Sequence, residues 1–298
     1  IYITGSNAKM LSREIATTLG GRFWNKDIYP YSFAEYLNAR DIILSKNWMY
    51  GKQAAEVSKA FNDYFLYGGF PELTDVIAKR VWLNDIYSKI FFSDLIVRNK
   101  VRNEEALGLL VRRLAENVKQ PVSYTRLANL ISSIGIKISK ATVIEFIRYL
   151  KESCLIFPIE NYAAKFAERN SNMKHYFIDN GLLSIFLLDG NTSLLENIVA
   201  IHLYKRYGAQ LYFYNQNIEV DFVIPEAKTA IQVSYSLMDE TTCRREVEGL
   251  IKLNRVFPMD NMCIITRDEE RIITHESNVS IHVIPVWKWL LEEEPLRT

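Results

Sequence analysis

The sequence predicts a multidomain protein of the α+β class, and three observations point there. Its 298 residues are more than a single core ordinarily organises. Helical spacing of apolar residues dominates residues 32–152, whereas short strand-like runs dominate beyond them. Charge divides too: residues 98–152 hold eleven Lys/Arg and five Glu (net +6), and residues 183–298 hold eleven Lys/Arg and seventeen Asp/Glu (net −6). A basic segment beside an acidic one calls for an anionic partner, or for docking of one on the other.

Bulk composition narrows the class. A hydrophobic content of 49% with 24% charged residues is that of a globular protein. No apolar run reaches the roughly 18–20 residues that span a bilayer, so no membrane association is expected. The start carries no signal-peptide pattern. Cys154, Cys243 and Cys263 are odd in number and far apart, which speaks against a disulfide framework or a zinc knuckle; a reducing cytoplasm is the expected compartment.

In chain order, Ile1-Tyr-Ile-Thr-Gly-Ser-Asn7 reads as a buried strand running into a polar turn, then a helix from about Ala8 to Leu19. Such an edge is typical of an α/β active site. No Gly-x-x-x-x-Gly-Lys-Ser/Thr loop occurs, so no phosphate cradle is present, and an N-terminal part is expected to be missing. Residues 32–100 read as mostly helical, with Phe33, Tyr36 and Leu37 inward, and again Val81, Ile86, Ile90 and Leu95. Gly68-Gly-Phe-Pro71 interrupts them as a turn. The aromatics Trp48, Tyr50, Phe61, Tyr64, Phe65 and Tyr67 are expected in the core.

Residues 101–182 predict a winged helix. Glu104–Val118 is amphipathic, with Leu107, Leu110, Val111 and Leu114 inward; Ser123 caps a second helix through Ile131; a third follows Ile138-Ser-Lys, with Val143, Phe146, Ile147 and Leu150 inward. Strands Leu155–Tyr162 and Lys174–Ile178 then flank a polar stretch. On the third helix Lys140, Arg148 and Lys151 fall within an arc of roughly 80°, taking 100° per residue, as a groove-reading helix requires. Lys165 and Arg169 lie on the wing, within reach of phosphates. The same basic residues equally suit a solvated helix face or a protein-binding module.

From about Leu183 the order is helix (193–207), strands 210–214, 218–224 and 229–235, long helix (239–257), strands 261–266 and 280–284, and a last helix (286–294). That αβββαβ order resembles the restriction-endonuclease-like, or PD-(D/E)XK, core. Trp287 or Trp289 is expected against the sheet, and Arg244 and Arg245 in solvent. Alternation in Glu219-Val-Asp-Phe-Val sends Glu219 and Asp221 one way, Val220 and Phe222 the other; Ile231-Gln-Val-Ser-Tyr235 sends Gln232 and Ser234 away from Ile231, Val233 and Tyr235. Pro225-Glu-Ala-Lys228 closes the hairpin, gathering two carboxylates, a carboxamide and a hydroxyl at one edge.

Seven motifs in order carry a resemblance: Ile3-Thr-Gly-Ser-Asn7, Leu19-Gly-Gly-Arg22, Pro30-Tyr-Ser-Phe-Ala-Glu35, Tyr67-Gly-Gly-Phe-Pro-Glu72, Tyr176-Phe-Ile-Asp-Asn-Gly-Leu182, Glu196-Asn197 and Glu219-Val-Asp221. They are similar to prokaryotic AAA-type ATP-binding proteins with a C-terminal DUF4143-type, restriction-endonuclease-like domain. The resemblance implies four parts: a remnant of the AAA α/β core (1–28), a helical lid (29–100), the winged helix (101–182) and the nuclease-like domain (183–298). It implies ATP and Mg²⁺ in the intact protein, with Asn7 (or Thr4 or Ser6) as the γ-phosphate sensor and Arg22 as a charge sensor or arginine finger. Asn7 as a helix cap and Arg22 in an ion pair are the plainer roles. No cofactor is expected in this fragment alone, and the absent ATPase core is one partner.

In the nuclease-like fold, carboxylates hold Mg²⁺ and a lysine two residues after the second acid stabilises the reacting phosphate. Carried over, Asp221 is the first acid, Gln232 stands at the second acidic position, Ser234 at the lysine position, and Glu196 is the helix acid, with Glu219 assisting. Metal ligands, if Mg²⁺ binds, are Asp221, Glu196 and Glu219. The missing lysine makes a catalytically silent domain the expectation, within a protein that binds DNA or a protein partner under nucleotide control. A metal-dependent DNA nuclease using Asp221 and Glu196, and a protein-interaction scaffold, are the alternatives. Lys228, Lys205 and Arg244 are the candidates to replace the lost cation.

Overall fold

The computed structural model describes residue 24 and residues 26–165, 172–275 and 279–292. The expected first strand and helix, with Asn7 and Arg22, lie outside these residues, as does Arg169. The described chain is α+β, with one large mixed sheet.

The helical part comes first. Ser32 and Glu35 form a reciprocal capping box that starts α1 (Phe33–Asn38), so a motif of the resemblance is a helix start signal. In α2 (Lys52–Tyr67), Val57, Ala60, Phe61, Tyr64 and Phe65 form a buried stripe at helical spacing. Of the aromatics expected inside, Phe61, Tyr64 and Phe65 are buried, and Trp48 packs edge-on against Trp287 at 5.6 Å. Tyr50 is instead 88% exposed: it ends a 3-10 turn (Trp48–Tyr50) whose packing residue is Trp48. In α3 (Lys79–Lys89) the buried residue is Leu83, and Val81 faces solvent. The helix continues as a π-type turn, Ile90–Val97, whose wider winding brings Leu95 and Ile96 inward.

Next come α4 (Glu104–Glu116), β1 (Val122–Ser123), α5 (Tyr124–Ser132), α6 (Lys140–Glu152), β2 (Ile156–Asn161) and β3 (Asn172–Phe177). Asn103, Ser123 and Ser139 cap the three helices, accepting from the amides of Ala106, Arg126 and Thr142. β3 lies between β1 and β2, antiparallel to both.

A short helix α7 (Asn180–Ser184) leads to α8 (Asn191–Tyr207), β4 (Tyr212–Asn215), β5 (Glu219–Ile224), β6 (Thr229–Val233), α9 (Glu240–Val256), β7 (Asn261–Thr266), β8 (Arg271–Thr274), β9 (Ser280–Pro285) and α10 (Val286–Glu292). β8 was not expected; it is a short, largely exposed edge strand whose polar ends read as loop. The strand order is β1-β3-β2-β4-β5-β6-β7-β9-β8. A parallel bridge, Glu160↔Tyr212 and Asn161↔Phe213, joins the sheets on either side of residue 182. One apolar cluster runs from α1 through α8 to Trp289, and a second lies under α9, so the sheet from β4 onward is covered on both faces.

Four of the motifs, those at Pro30–Glu35, Tyr67–Glu72, Tyr176–Leu182 and Glu196-Asn197, converge on one junction. Asp179 accepts from the amides of Gly69 (2.7 Å), Gly181 (2.8 Å) and Leu182 (3.4 Å). Gly69 accepts in turn from the Tyr31 amide, and Tyr64 donates to the Tyr31 carbonyl. Gly68 has φ +79, and a Cβ there would stand 1.9 Å from Asp179 Oδ1, so this position needs glycine. Asn197 bonds both backbone groups of Phe177 and the Asn180 side chain. These residues tie the helical part, β3 and α8 together.

Candidate functional site

The site grows from a local irregularity in β5. Tyr212 pairs with Val223 but Tyr214 with Val220, so β5 carries one extra residue there. Such a bulge shifts the side-chain phase. Val220 therefore joins the cluster under α9 while Phe222 joins the one under α8, correcting the expectation that they share a face. β5 and β6 pair as far as Phe222↔Ile231. Beyond this, side chains close the gap: the Asp221 amide donates to Gln232 Oε1 (2.9 Å), Gln232 Nε2 donates to the Glu219 carbonyl (3.0 Å), and the Val233 amide donates to Asp221 Oδ2 (2.9 Å).

The other Asp221 oxygen faces a residue that sequence reasoning missed. Lys174 Nζ, from β3, stands 3.1 Å from Asp221 Oδ1, 3.2 Å from Glu196 Oε1 and 3.5 Å from Glu219 Oε1. It passes 5.6 Å from the Phe213 ring centre on β4. Tyr176, two residues on and on the same strand face, donates to Glu196 Oε1 at 2.7 Å. Its ring packs against Phe157 and Phe222. The Lys174 side chain is 0% exposed and Glu219 is 41% exposed, so Glu219 is the wet rim of a buried cluster. A lysine in a strand of large, aromatic-rich residues, Met173-Lys-His-Tyr-Phe177, was the signal available in the sequence; the parallel joining of β2 and β4 that aims it at Asp221 was not.

Electrostatics follow from burial. It pushes the Glu196 carboxyl up to about 7, and the nearby Asp221 charge adds to this, while Lys174 and the Tyr176 hydroxyl oppose it. Burial alone would lower the Lys174 ammonium, but Glu196, Asp221 and Glu219 reverse this and hold it charged. The Tyr176 hydroxyl is raised by burial first and by the acids second, so it stays a donor. A further acid borders the site: Glu246 on α9 is buried and raised by that burial, and Arg245 pairs with it at 2.5 Å.

The expected gathering at one edge is thus divided. Asp221, Glu196 and Glu219 come together; Gln232 and Ser234 do not join them. Gln232 turns toward α9, where a Cβ on Gly249 would meet its Nε2 at 2.9 Å, and Ser234 donates to the Ser236 carbonyl. Of the cations considered as substitutes, Lys228 pairs with Asp260, Lys205 donates to the Pro30 carbonyl, and Arg244 is exposed on α9. Among the described residues no set of three His, Cys, Asp or Glu is arranged to hold a metal ion. The donor set does not fit Mg²⁺: an ammonium lies at its focus, and Gln232 is an amide already bonded to backbone.

The chain is 32% identical to an uncharacterized protein of Methanocaldococcus jannaschii over 98% of its own length and 68% of that protein's. It belongs to the family of that archaeal protein. An uncharacterized protein of Haemophilus influenzae is 31% identical over 85% of the chain and 62% of its own length. The chain thus spans about two thirds of the length of these relatives. A family model described as an AAA domain matches residues 1–37, so the chain carries an AAA-type segment reaching through most of α1. A domain of unknown function, DUF8612, matches residues 58–193, rather than the DUF4143 type. No solved structure matches.

The basic residues of α6 form a second candidate surface. Lys140, Arg148, Lys151 and Lys165 are exposed. Arg148 lies over the Tyr149 ring and between Glu145 (3.8 Å) and Glu152 (4.0 Å), so its charge is partly met within the helix. Among the described residues no helix is long and apolar enough to cross a membrane.

Proposed function

We propose that the chain is part of an AAA-type ATP-binding protein whose winged helix binds DNA or a protein partner under nucleotide control, and whose restriction-endonuclease-like domain is catalytically silent. The AAA match at residues 1–37 supports the first statement. The order of three capped helices and the β1-β3-β2 sheet supports a winged helix, and α8-β4-β5-β6-α9-β7 supports the nuclease-like core.

One observation carries the silent reading: the Lys174 ammonium sits among the carboxylates that would hold a metal. In the nuclease reading Lys174 would instead supply the cation missing at Ser234, and the contacts alone do not separate the two roles. Supercoiled plasmid with Mg²⁺ or Mn²⁺ decides between them. No nicking is expected, and nicking that disappears in Asp221→Ala establishes a nuclease.

For the winged helix, a shallow groove on α5 lined by Ser123, Thr125, Arg126, Asn129 and Ser133 offers Arg126 and Asn129 as phosphate donors, while the Ser133 hydroxyl is already given to the Leu130 carbonyl. The expected result is salt-sensitive duplex binding that weakens in Arg148→Ala/Lys151→Ala. No binding, or binding that the double variant leaves unchanged, transfers the surface to a protein partner, which the acids flanking Arg148 already favour. Asn7 and Arg22 are proposed to sense nucleotide in the intact protein; Arg22→Ala there should lower ATP turnover.

A further inference from the structure

Three acids from two elements converge on one amine: Glu196 from α8, and Glu219 and Asp221 from β5, around Lys174. An ammonium has three N–H donors and no acceptor; Glu196 and Asp221 accept hydrogen bonds from it, and Glu219 stands 3.5 Å away as a third anionic neighbour. Lys174 is fully buried and Tyr176 beside it holds Glu196, so the amine cannot turn into solvent without parting β3 from α8. The neighbouring acid Glu246 has its own cation in Arg245. Gln232, in place of a further acid, bonds the β5 backbone with both amide atoms.

We infer that Lys174 is the resident cation of this carboxylate edge, a covalently held occupant where a divalent metal would otherwise bind. The wild-type chain therefore excludes divalent cations from the edge, and a chain lacking the ammonium admits them. This rests on the reading of the domain as nuclease-like and silent, but it is a statement about ion occupancy and is decided separately. Tethering explains how an amine prevails over a divalent ion: the lysine is present at every fold of the chain, whereas a free ion must be drawn from solution and dehydrated.

The experiment is a Mn²⁺ titration followed by thermal unfolding and by calorimetry, on wild type, Lys174→Met and Lys174→Met/Asp221→Asn. The wild-type Tm should not respond to millimolar Mn²⁺. Lys174→Met should bind one Mn²⁺ and gain several degrees, as expected of a ligand that binds only the folded state, and the double variant should lose that gain. An Asp221-dependent Mn²⁺ response in wild type, or none in a folded Lys174→Met, overturns the inference. If Lys174→Met does not fold alone, Mn²⁺ should restore its refolding, and failure to do so equally overturns it. Plasmid nicking by wild type would end the silent reading, whereas Mn²⁺ binding without nicking would end only this one.

Discussion

Removing the Lys174 charge should make stability depend on pH in a way that Glu196 controls. Lys174→Met keeps the length and apolar packing of the side chain but deletes an ammonium 3.1–3.5 Å from three carboxylates. Deleting one partner of a buried pair costs about 3–5 kcal/mol. The lower figure is expected at neutral pH, because Glu219 is partly solvated and Glu196 can accept a proton. The Glu196 carboxyl already stands at about 7 with the ammonium beside it; without that ammonium it must stand higher. An acid raised in the folded state contributes stability below its unfolded pKa, and that contribution is lost as pH rises through the folded value. In wild type the loss levels off above about 7; in Lys174→Met it continues, at up to about 1.4 kcal/mol per pH unit. The gap between the two proteins should therefore widen between pH 5 and pH 9, by roughly 1–3 kcal/mol. Urea unfolding followed by circular dichroism and tryptophan fluorescence measures it. Lys174→Met/Glu196→Gln should show a gap that no longer widens. A gap independent of pH, or one that widens regardless of Glu196→Gln, would refute the assignment of the coupling to this pair.

Two further outcomes follow from the same physics. Gly68→Ala should destabilise by about 3 kcal/mol, since strain at positive φ adds to displacement of Asp179 from its backbone donors, whereas Gly135→Ala, also at positive φ but with open space around it, should cost about 1 kcal/mol. Equal losses in urea unfolding would show that the Asp179 contact contributes nothing. His175 is buried, its ring nitrogens have no side-chain hydrogen-bond partner among the described residues, and burial first, then the Lys151 charge, push it down to about 4, with the Met173 backbone opposing them. A base lowered in the folded state loses stability as pH falls from its unfolded value toward the folded one. His175→Leu should therefore become more stable than wild type below pH 6.5, by about 3 kcal/mol near pH 4. The comparison between the two proteins isolates this from Glu196 and Asp179, both raised by burial, which act in the opposite direction. Parallel pH profiles would refute it.

Much of the local structure was legible in the sequence. Capping serines at 32, 123 and 139 and apolar stripes such as Leu107, Leu110, Val111 and Leu114 specify helices through contacts within a few residues. The β5–β6 hairpin and its turn at Pro225–Lys228 were equally local. Charge asymmetry and the exposed basic residues of α6 are composition, readable without coordinates. The motifs of the resemblance were readable as positions but not as a set: only folding brings Gly68, Asp179 and Asn197 to one junction.

The candidate site shows the division most clearly. The sequence by itself determined that Glu219 and Asp221 share a strand, that Glu196 lies on the preceding helix, and that the next strand brings an amide, Gln232, and a hydroxyl, Ser234, in place of charged groups. Tertiary structure decided everything about their charge. The bulge in β5 re-phased the strand, and the bridge between β2 and β4 carried Lys174 from another sheet onto the carboxylates. Neither is encoded by periodicity, because a bulge is an irregularity of pairing and a buried ion cluster is a contact between residues 22 and 47 positions apart.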